Sequence, residues 1–65
     1  MQAEAVSISV REAAERLGIG YVKCFELIGT GELRSIRVGS RRLVPVTALN
    51  EFVEHKLAEA AEPAR

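Results

Sequence analysis

The fold of this 65-residue chain is decided by a stretch near its middle, Leu33-Arg34-Ser35-Ile36-Arg37-Val38-Gly39-Ser40-Arg41-Arg42-Leu43-Val44-Pro45. Ile36 and Val38 alternate with polar residues, which is the period of a half-buried strand. Gly39-Ser40 suits a turn, and the apolar pair Leu43-Val44 follows it. Pro45 then ends the pairing, because proline cannot donate a ladder hydrogen bond. The stretch therefore predicts a β-hairpin.

Two short helices are predicted before the hairpin. Ser9-Val10-Arg11-Glu12 matches a capping box, in which the Ser hydroxyl and the Glu carboxylate each satisfy a free amide of the other residue. Gly18 suits the left-handed position that ends a helix, so the first helix is expected over residues 10–17. The second begins at Tyr21 and ends at Gly29-Thr30-Gly31. Two such helices joined by a short glycine-containing turn indicate a helix-turn-helix.

A third helix is predicted from Val46 or Thr47 to about Ala61. Its apolar positions recur at helical spacing and form a stripe of Leu49, Phe52, Val53, Leu57 and Ala60. We therefore expect a mainly α fold with a small β-hairpin, namely a winged helix-turn-helix with three helices and a two-stranded wing. It should form one domain over residues 7–61, after a disordered N-terminus (1–6) and before a frayed C-terminus (62–65).

The positive charge of the chain is concentrated in the hairpin, although the formal net charge is +0. No acidic residue lies between Leu33 and Asn50, and that segment holds Arg34, Arg37, Arg41 and Arg42. Guanidinium suits phosphate, because its planar fork offers paired donors and does not deprotonate. This distribution has two interpretations that charge alone does not separate, an acidic partner for one face of the domain or a solvated charged surface.

Several classes of function are not expected. One cysteine and one histidine provide neither a disulfide framework nor a metal-ligand set. No apolar run is long enough for a membrane span, and the first residues lack the basic and apolar regions of a signal peptide. No phosphate-binding loop or catalytic triad can be assembled. We therefore expect a cytoplasmic protein that is not an enzyme and has no cofactor, metal or small-molecule ligand.

The order helix, tight turn, helix, Gly-x-Leu, basic hairpin, helix resembles the small excisionase-type and MerR-like winged-helix DNA-binding domains. The resemblance covers roughly residues 8–58 and rests on the strings Val10-Arg11-Glu12-Ala13-Ala14-Glu15-Arg16-Leu17-Gly18-Ile19, Gly31-Glu32-Leu33, Ile36-Arg37-Val38-Gly39-Ser40-Arg41-Arg42 and Pro45-Val46-Thr47-Ala48-Leu49. It implies double-stranded DNA as the partner, with the second helix in the major groove and the wing on the backbone or minor groove.

The resemblance implies two biological roles. One is an excisionase, a recombination directionality factor that binds attachment-site DNA and promotes integrase-mediated excision. The other is a small MerR-like transcriptional regulator. We favour the excisionase, because excisionases are often this short and lack an effector domain.

A helical wheel of the second helix assigns roles to its exposed side chains. Tyr21 is predicted to donate its hydroxyl to phosphate, and Lys23 to contact phosphate or guanine. Val22 suits a thymine methyl group or simply the surface, with no preference between the two. Glu26 suits a cytosine amino group or an ion pair with Lys23 three residues earlier, and we favour the ion pair.

The wing supplies the remaining predicted contacts. Arg41 and Arg42 follow the turn on opposite faces of one strand, so only one of them can lie over the groove. Arg37 lies on the strand before the turn. Narrow A·T-rich minor grooves attract inserted arginine, whereas the alternative is a charged edge strand that resists aggregation. Ser40 is predicted to donate to phosphate.

Arg34 has two interpretations, a DNA contact or an ion pair with Glu32 or with a carboxylate of the third helix. For the whole interface, we expect the hairpin and the exposed side of the second helix, with Lys23, to form one surface that contacts a duplex.

Partners besides DNA are also predicted. A single module of this kind buries only ~600–1,000 Å² on DNA, so we expect self-association on adjacent sites. Residues after Leu57 suit such contacts, or a contact with an integrase. The alternative from a different class is a protein-interaction module that uses the acidic third helix, with the arginines serving only solubility.

Overall fold

Three helices and a small antiparallel sheet form the domain, and the computed structural model describes residues 6–61. In chain order the elements are strand β1 (Ser7–Ser9), helix α1 (Val10–Leu17), helix α2 (Tyr21–Thr30), strands β2 (Ile36–Val38) and β3 (Arg41–Pro45), and helix α3 (Val46–Ala60). The helices and the β2–β3 hairpin confirm the predicted winged helix-turn-helix. Residues 1–5 and 62–65, which belong to the predicted disordered and frayed ends, lie outside the described residues.

The ends of α1 follow from local chemistry. The Ser9 hydroxyl accepts a hydrogen bond from the Glu12 N–H at 3.0 Å, as a capping residue does. Gly18 has φ +76°, and the Ile19 N–H donates to the Ala14 carbonyl at 3.0 Å. These are features of a Schellman ending, in which a left-handed residue lets the chain leave the helix. The helix therefore has the predicted bounds.

Only one half of the predicted capping box is present at this helix start. The Glu12 carboxylate does not reach back to the Ser9 amide but accepts from the Arg16 guanidinium at 2.9 Å. That pair spans one helical turn, the separation at which opposite charges on a helix meet. The carboxylate therefore has a nearby cation that competes with the capping arrangement.

Leu33 fixes the path from α2 into the hairpin. Helix α2 ends at Gly31, which has φ +88°, and the Leu33 N–H then donates to the Leu27 carbonyl at 3.1 Å. The Leu33 side chain is only 1% exposed, and burying a leucine contributes about 1.5–3 kcal/mol. A buried side chain and a backbone hydrogen bond thus hold the start of the wing against the end of α2.

The sheet contains a third strand that the sequence analysis did not predict. Strand β1 pairs antiparallel with β3, and Ile8 lies opposite Val44, so that the strand order is β1-β3-β2. Just before β1, the Val6 carbonyl accepts from the Val46 N–H at 2.8 Å. The base of the hairpin is therefore anchored on its β3 side, and only its tip extends beyond the core.

The core lies between the helices and this anchored end of the sheet. Its buried side chains are all apolar and comprise Ile8, Val10, Ala13, Ala14, Cys24, Leu33, Val44, Ala48 and Leu49. Leu17, Ile19, Leu27, Ile28, Val46 and Phe52 pack around them in half-buried positions. Within residues 6–61, no polar or charged side chain is buried, so charged groups are left to the surface.

The prediction that Ile36 and Val38 are half-buried is wrong. Their exposed fractions are 43% and 54%, and every residue of β2 is exposed. Their alternation with polar residues is that of a strand with one covered face, but Ile36 and Val38 lie opposite Leu43 and Arg41, on the reverse of the face that carries the buried Val44. The hairpin is accordingly an arm that projects from the domain.

The apolar stripe of α3 is only partly used for packing. Leu49 is buried and Phe52 half-buried, whereas Val53 and Leu57 are 42% and 63% exposed. The second half of α3 therefore presents apolar side chains to solvent.

Candidate nucleic-acid interface

The register of the hairpin places Arg37 directly opposite Arg42 and Val38 opposite Arg41. Side chains opposite each other share a face of the sheet, and successive residues alternate between faces. Arg37 and Arg42 therefore lie on the face that carries the buried Val44, whereas Arg41 lies on the reverse face. This geometry decides which arginine after the turn lies toward the helices, and it is Arg42.

Arg42 and the start of α2 line one cleft of about 400 Å³. The lining residues are Ser9, Val10, Arg11, Tyr21, Phe25, Ser40 and Arg42. The charged residues that line this cleft are Arg11 and Arg42, and no carboxylate lines it. The wing and the side of α2 that carries Tyr21 and Phe25 therefore meet across this cleft.

The two aromatic rings of the cleft are in contact. Tyr21 and Phe25 lie one turn apart on α2, and their ring centroids are 5.0 Å apart with an interplanar angle of 84°. This edge-to-face arrangement is favourable, because the positive edge of one ring meets the negative face of the other. Although 43% and 40% exposed, the rings hold each other in place.

Ion pairing divides the basic residues of the domain into two groups. Four of them pair with carboxylates: Arg16 with Glu12, Lys23 with Glu26, Arg34 with Glu51, and Lys56 with Glu32 and Glu59. In the part of the chain that the structure describes, the arginines that form no ion pair are Arg11, Arg37, Arg41 and Arg42. The uncompensated positive charge therefore lies on the hairpin and at the start of α1.

Arg42 forms a hydrogen bond to a neutral side chain, so its positive charge is not compensated. Its Nη1 donates to the Ser35 hydroxyl at 3.3 Å, which orients the guanidinium without neutralising it. A guanidinium has five N–H donors, so most of them stay available to an anion.

Lys23 lies away from this cleft. At about 100° per residue, Tyr21 and Lys23 are separated by about 160° around α2. Lys23 instead lines a separate apolar cavity with Leu27 and Val53, and its Nζ lies 3.6 Å from the Glu26 carboxylate. The expectation that Lys23 and the hairpin arginines form one surface is not met, and a DNA contact by Lys23 stays a prediction.

The remaining α2 residues occupy its outermost face. Val22 is 69% exposed, and Glu26, one turn later, is exposed beside it. The Glu26–Lys23 ion pair that we favoured is confirmed. Val22 and Glu26 are thus the α2 residues farthest from the core, while Tyr21 and Phe25 face the wing.

The other predicted wing residues are accounted for as follows. Arg34 pairs with Glu51 of α3 at 3.6 Å, which confirms the ion-pair interpretation with a third-helix carboxylate. Ser40 lines the cleft at the tip of the hairpin. Gly39 has φ +62°, the left-handed conformation that a tight hairpin turn requires of glycine.

Four of the residues that line the cleft are not among the predicted site residues, namely Ser9, Val10, Arg11 and Phe25, and two of them, Arg11 and Phe25, supply charge and an aromatic ring. In the sequence, Arg11 belongs to the predicted capping motif, and Phe25 lies beside the apolar face of the second helix. Their membership depends on how α1 lies against α2, which no local pattern reports. One signal was available for Phe25, since its spacing of four from Tyr21 places the two rings on one helical face.

Cys24 is a core residue. Its side chain is fully buried and its Sγ–H donates to the Val10 carbonyl with a sulfur–oxygen distance of 3.8 Å. Burial raises the pKa of the thiol above its ordinary value of 9.0, because removal from water disfavours the thiolate. The side chain therefore links α2 to the start of α1 as a neutral thiol.

Lys56 anchors α3 to the segment between α2 and the wing. Its ammonium lies 3.2 Å from the Glu32 carboxylate and 3.4 Å from that of Glu59. The hydrogen bond and charge of Glu32, together with Glu59, raise the pKa of Lys56.

None of the helices between residues 6 and 61 has the length and apolar character needed to cross a bilayer.

Comparisons with known proteins agree with this architecture. The chain matches the family model described as "Helix-turn-helix domain" over residues 7–57. It is similar to a protein from Saccharopolyspora erythraea named as a probable excisionase, with 37% identity over 54 residues, or 83% of this chain and 55% of that protein. An excisionase from Streptomyces ambofaciens is 38% identical over 53 residues, or 82% of this chain and 86% of that protein.

The chain spans about half the length of the first of these relatives and most of the second. No solved structure gives a significant match. The agreement of fold, family model and relatives means that the chain belongs to the excisionase-type helix-turn-helix DNA-binding family.

Proposed function

We propose that this protein is a recombination directionality factor, which binds attachment-site DNA sequence-selectively and promotes integrase-mediated excision. The observation that carries the proposal is the set of four arginines that form no ion pair within residues 6–61: Arg11 and Arg42 line the α2–wing cleft, and Arg37 and Arg41 lie on the hairpin. A small domain of zero net charge has no evident structural need for this concentration. A polyanion bound across the cleft would supply the missing countercharge.

In the proposed complex, α2 enters the major groove. Its outermost side chains, Val22 and Glu26, then meet base edges. The valine methyl groups suit the thymine methyl, and the carboxylate suits the amino group of cytosine. The nearby Lys23 ammonium lowers the electrostatic cost of bringing the Glu26 carboxylate close to phosphates. Tyr21 lies beside the groove edge, where its hydroxyl suits a phosphate oxygen.

The wing contacts the backbone and the adjacent minor groove. Arg37 and Arg42 form a pair of guanidiniums on the face turned toward α2, and Ser40 lies at the tip. A narrow minor groove concentrates negative potential and favours arginine insertion. Arg41 lies on the reverse face and would reach the backbone on the far side of the arm. Arg34 contributes less, because Glu51 already neutralises it.

The exposed apolar half of α3 supports a role in assembly. Leu17, Leu27, Phe52, Val53 and Leu57 line a cavity of about 500 Å³, on the side of α2 opposite the wing cleft. One module alone gives moderate affinity, and contacts between neighbouring copies would supply the rest. The same surface suits an integrase. Our proposal therefore includes two protein partners, a neighbouring copy of this chain and an integrase. It also places the protein on nucleoid DNA in the cytoplasm.

The test of this function is footprinting followed by recombination. Purified protein is applied to DNA flanking its own gene, and the protected segment is then supplied, with and without the protein, to any integrase that is encoded beside that gene. We expect protection within an attachment site and excision that depends on the protein. Protection only at a promoter, with no effect on excision, would instead indicate a MerR-like transcriptional regulator.

A further inference from the structure

Arg11 has a carboxylate within reach but does not pair with it. Glu15 lies four residues later on α1, the spacing at which opposite charges on a helix meet. Arg16, on the same helix, pairs with Glu12 at 2.9 Å, yet the ion pairs found among residues 6–61 include none between Arg11 and Glu15. The two arginines of one short helix thus differ in whether their charge is compensated.

Tyr21 is what holds Arg11 instead. The guanidinium carbon of Arg11 lies 4.8 Å from the centroid of the Tyr21 ring, within the range of a cation–π contact. Tyr21 is in turn braced edge-to-face by Phe25. A ring face orients a guanidinium but leaves the N–H donors at its edge unoccupied. The contact therefore positions the group and preserves its charge.

The position of Arg11 relates it to the wing. Arg11 and Arg42 line the same cleft, one at the α1 end and the other on β3. A strand of DNA that passes between α2 and the hairpin would run between these two guanidiniums. No carboxylate lines this path.

We propose that Arg11 is a DNA-backbone contact that binds a phosphodiester oxygen, and that Tyr21 is its positioning residue. This inference rests on the proposed DNA-binding function and adds to it a site outside both the helix-turn-helix recognition face and the wing. Because the ligand is a phosphate, the contact acts on any sequence. It secures the backbone strand beside the groove that α2 enters.

The test compares Arg11→Gln with Arg16→Gln, since both variants remove one positive charge from the same helix. The probe is a short mixed-sequence DNA duplex, and binding is measured by fluorescence anisotropy between about 50 and 200 mM salt. We expect Arg11→Gln to reduce the slope of log affinity against log salt by about 0.9, the value for one lost phosphate contact. Arg16→Gln should keep the wild-type slope, and equal slopes for all three proteins would overturn the proposal.

Tyr21 variants test the positioning role. Tyr21→Phe keeps the ring face and should keep the salt slope, whereas Tyr21→Leu should lose it as Arg11→Gln does. The double variant Arg11→Gln/Tyr21→Leu should show the same salt slope as Arg11→Gln alone, since both changes remove the same charged contact. Additive losses, or a slope lost in Tyr21→Phe, would refute positioning by the ring.

Thermal unfolding of each variant separates a binding defect from a folding defect, and titration at a temperature where each protein is folded keeps the comparison valid. Failure of the wild-type protein to bind both this duplex and the footprinted DNA would sink the proposed function and this inference together. Wild-type binding with an unchanged Arg11→Gln slope would sink only the inference.

Discussion

Arg37 and Arg42 stand directly opposite each other on adjacent strands of the wing. Like charges in this relationship destabilise a hairpin by up to about 1 kcal/mol. Neither arginine has a carboxylate partner within the described residues 6–61. Their juxtaposition is a cost to the free domain, and it is offset when an anion lies across the pair.

This relationship predicts opposite effects on binding and stability. Arg42→Ala should weaken binding to the footprinted DNA and reduce the salt slope by about 1. The thermal stability of the free domain should stay equal or rise by a few tenths of a kcal/mol, because the cross-strand repulsion disappears. Calorimetry and anisotropy titration measure the two effects.

The matched control is Arg34→Ala, in which the lost charge was already paired with Glu51. Its affinity loss should be smaller than that of Arg42→Ala. If Arg42→Ala leaves DNA affinity intact and promotes aggregation of the free domain, the wing arginines serve solubility, as the edge-strand interpretation requires.

A second prediction concerns the effect on stability of two glycine-to-alanine substitutions, one in the turn of the wing and one in α2. Gly39 has φ +62° with open space around it, and Gly29 lies in α2, also with open space. Gly39→Ala should therefore cost roughly 1–2 kcal/mol, the penalty of a left-handed residue with a Cβ. Gly29→Ala should be neutral or stabilise by up to about 1 kcal/mol, since alanine favours helix. Chemical denaturation checks both, and equal effects would mean that the turn is not in the described conformation.

Much of this fold could be predicted because its helix boundaries are set locally. Helix α1 begins at the Ser9 hydroxyl, and the two helices of the helix-turn-helix end at left-handed glycines, Gly18 and Gly31. Such signals can be recognised from a few adjacent residues in the sequence. Strand β1 could not be predicted, since three residues carry almost no periodicity and its partner β3 lies far along the chain. Its last residue, Ser9, is also the cap of α1, and the capping motif is the stronger local signal.

The candidate site could be predicted only where it depends on local sequence. The concentration of arginine in the hairpin is visible in the chain itself. The position of Arg11 over Tyr21 depends on the approach of two helices, and the separation of Lys23 from the wing depends on which side of α2 the hairpin occupies. Periodicity identifies the outward face of a helix but not its neighbours.

A third prediction concerns the buried thiol of Cys24. Because its folded pKa is raised above 9.0, the folded protein holds the proton more tightly than the unfolded chain does. The resulting stability is present below about pH 9 and is lost as the pH rises through the folded pKa. Cys24→Ala should lower the free energy of unfolding at neutral pH by about 1 kcal/mol. The difference in unfolding free energy between the wild-type protein and this variant should become smaller in alkaline solution.

The burial of Cys24 can also be tested by chemical labelling. Iodoacetamide should modify the wild-type thiol only as fast as the domain opens, and rapid modification of the folded protein would contradict burial.

The exposed half of α3 supplies a fourth prediction. Leu57→Ser should leave stability and single-site affinity unchanged, because Leu57 is 63% exposed. It should abolish cooperative loading of neighbouring copies on DNA that carries adjacent sites, as measured by sedimentation. Val6→Ser, which alters another exposed apolar residue, is the control. Unchanged cooperativity in Leu57→Ser, or wild-type protein that saturates the fragment as isolated single copies, would exclude this surface from assembly.

The central claim is that one side of α2 and the wing form a single duplex-binding surface. Its most direct test is an NMR titration of the labelled protein with the footprinted duplex. Amides of Arg11, Tyr21, Phe25, Ser40 and Arg42 should shift together at one stoichiometry, with little change around Glu54 on the outer part of α3. Shifts confined to α3, or to the hairpin without α2, would contradict the account.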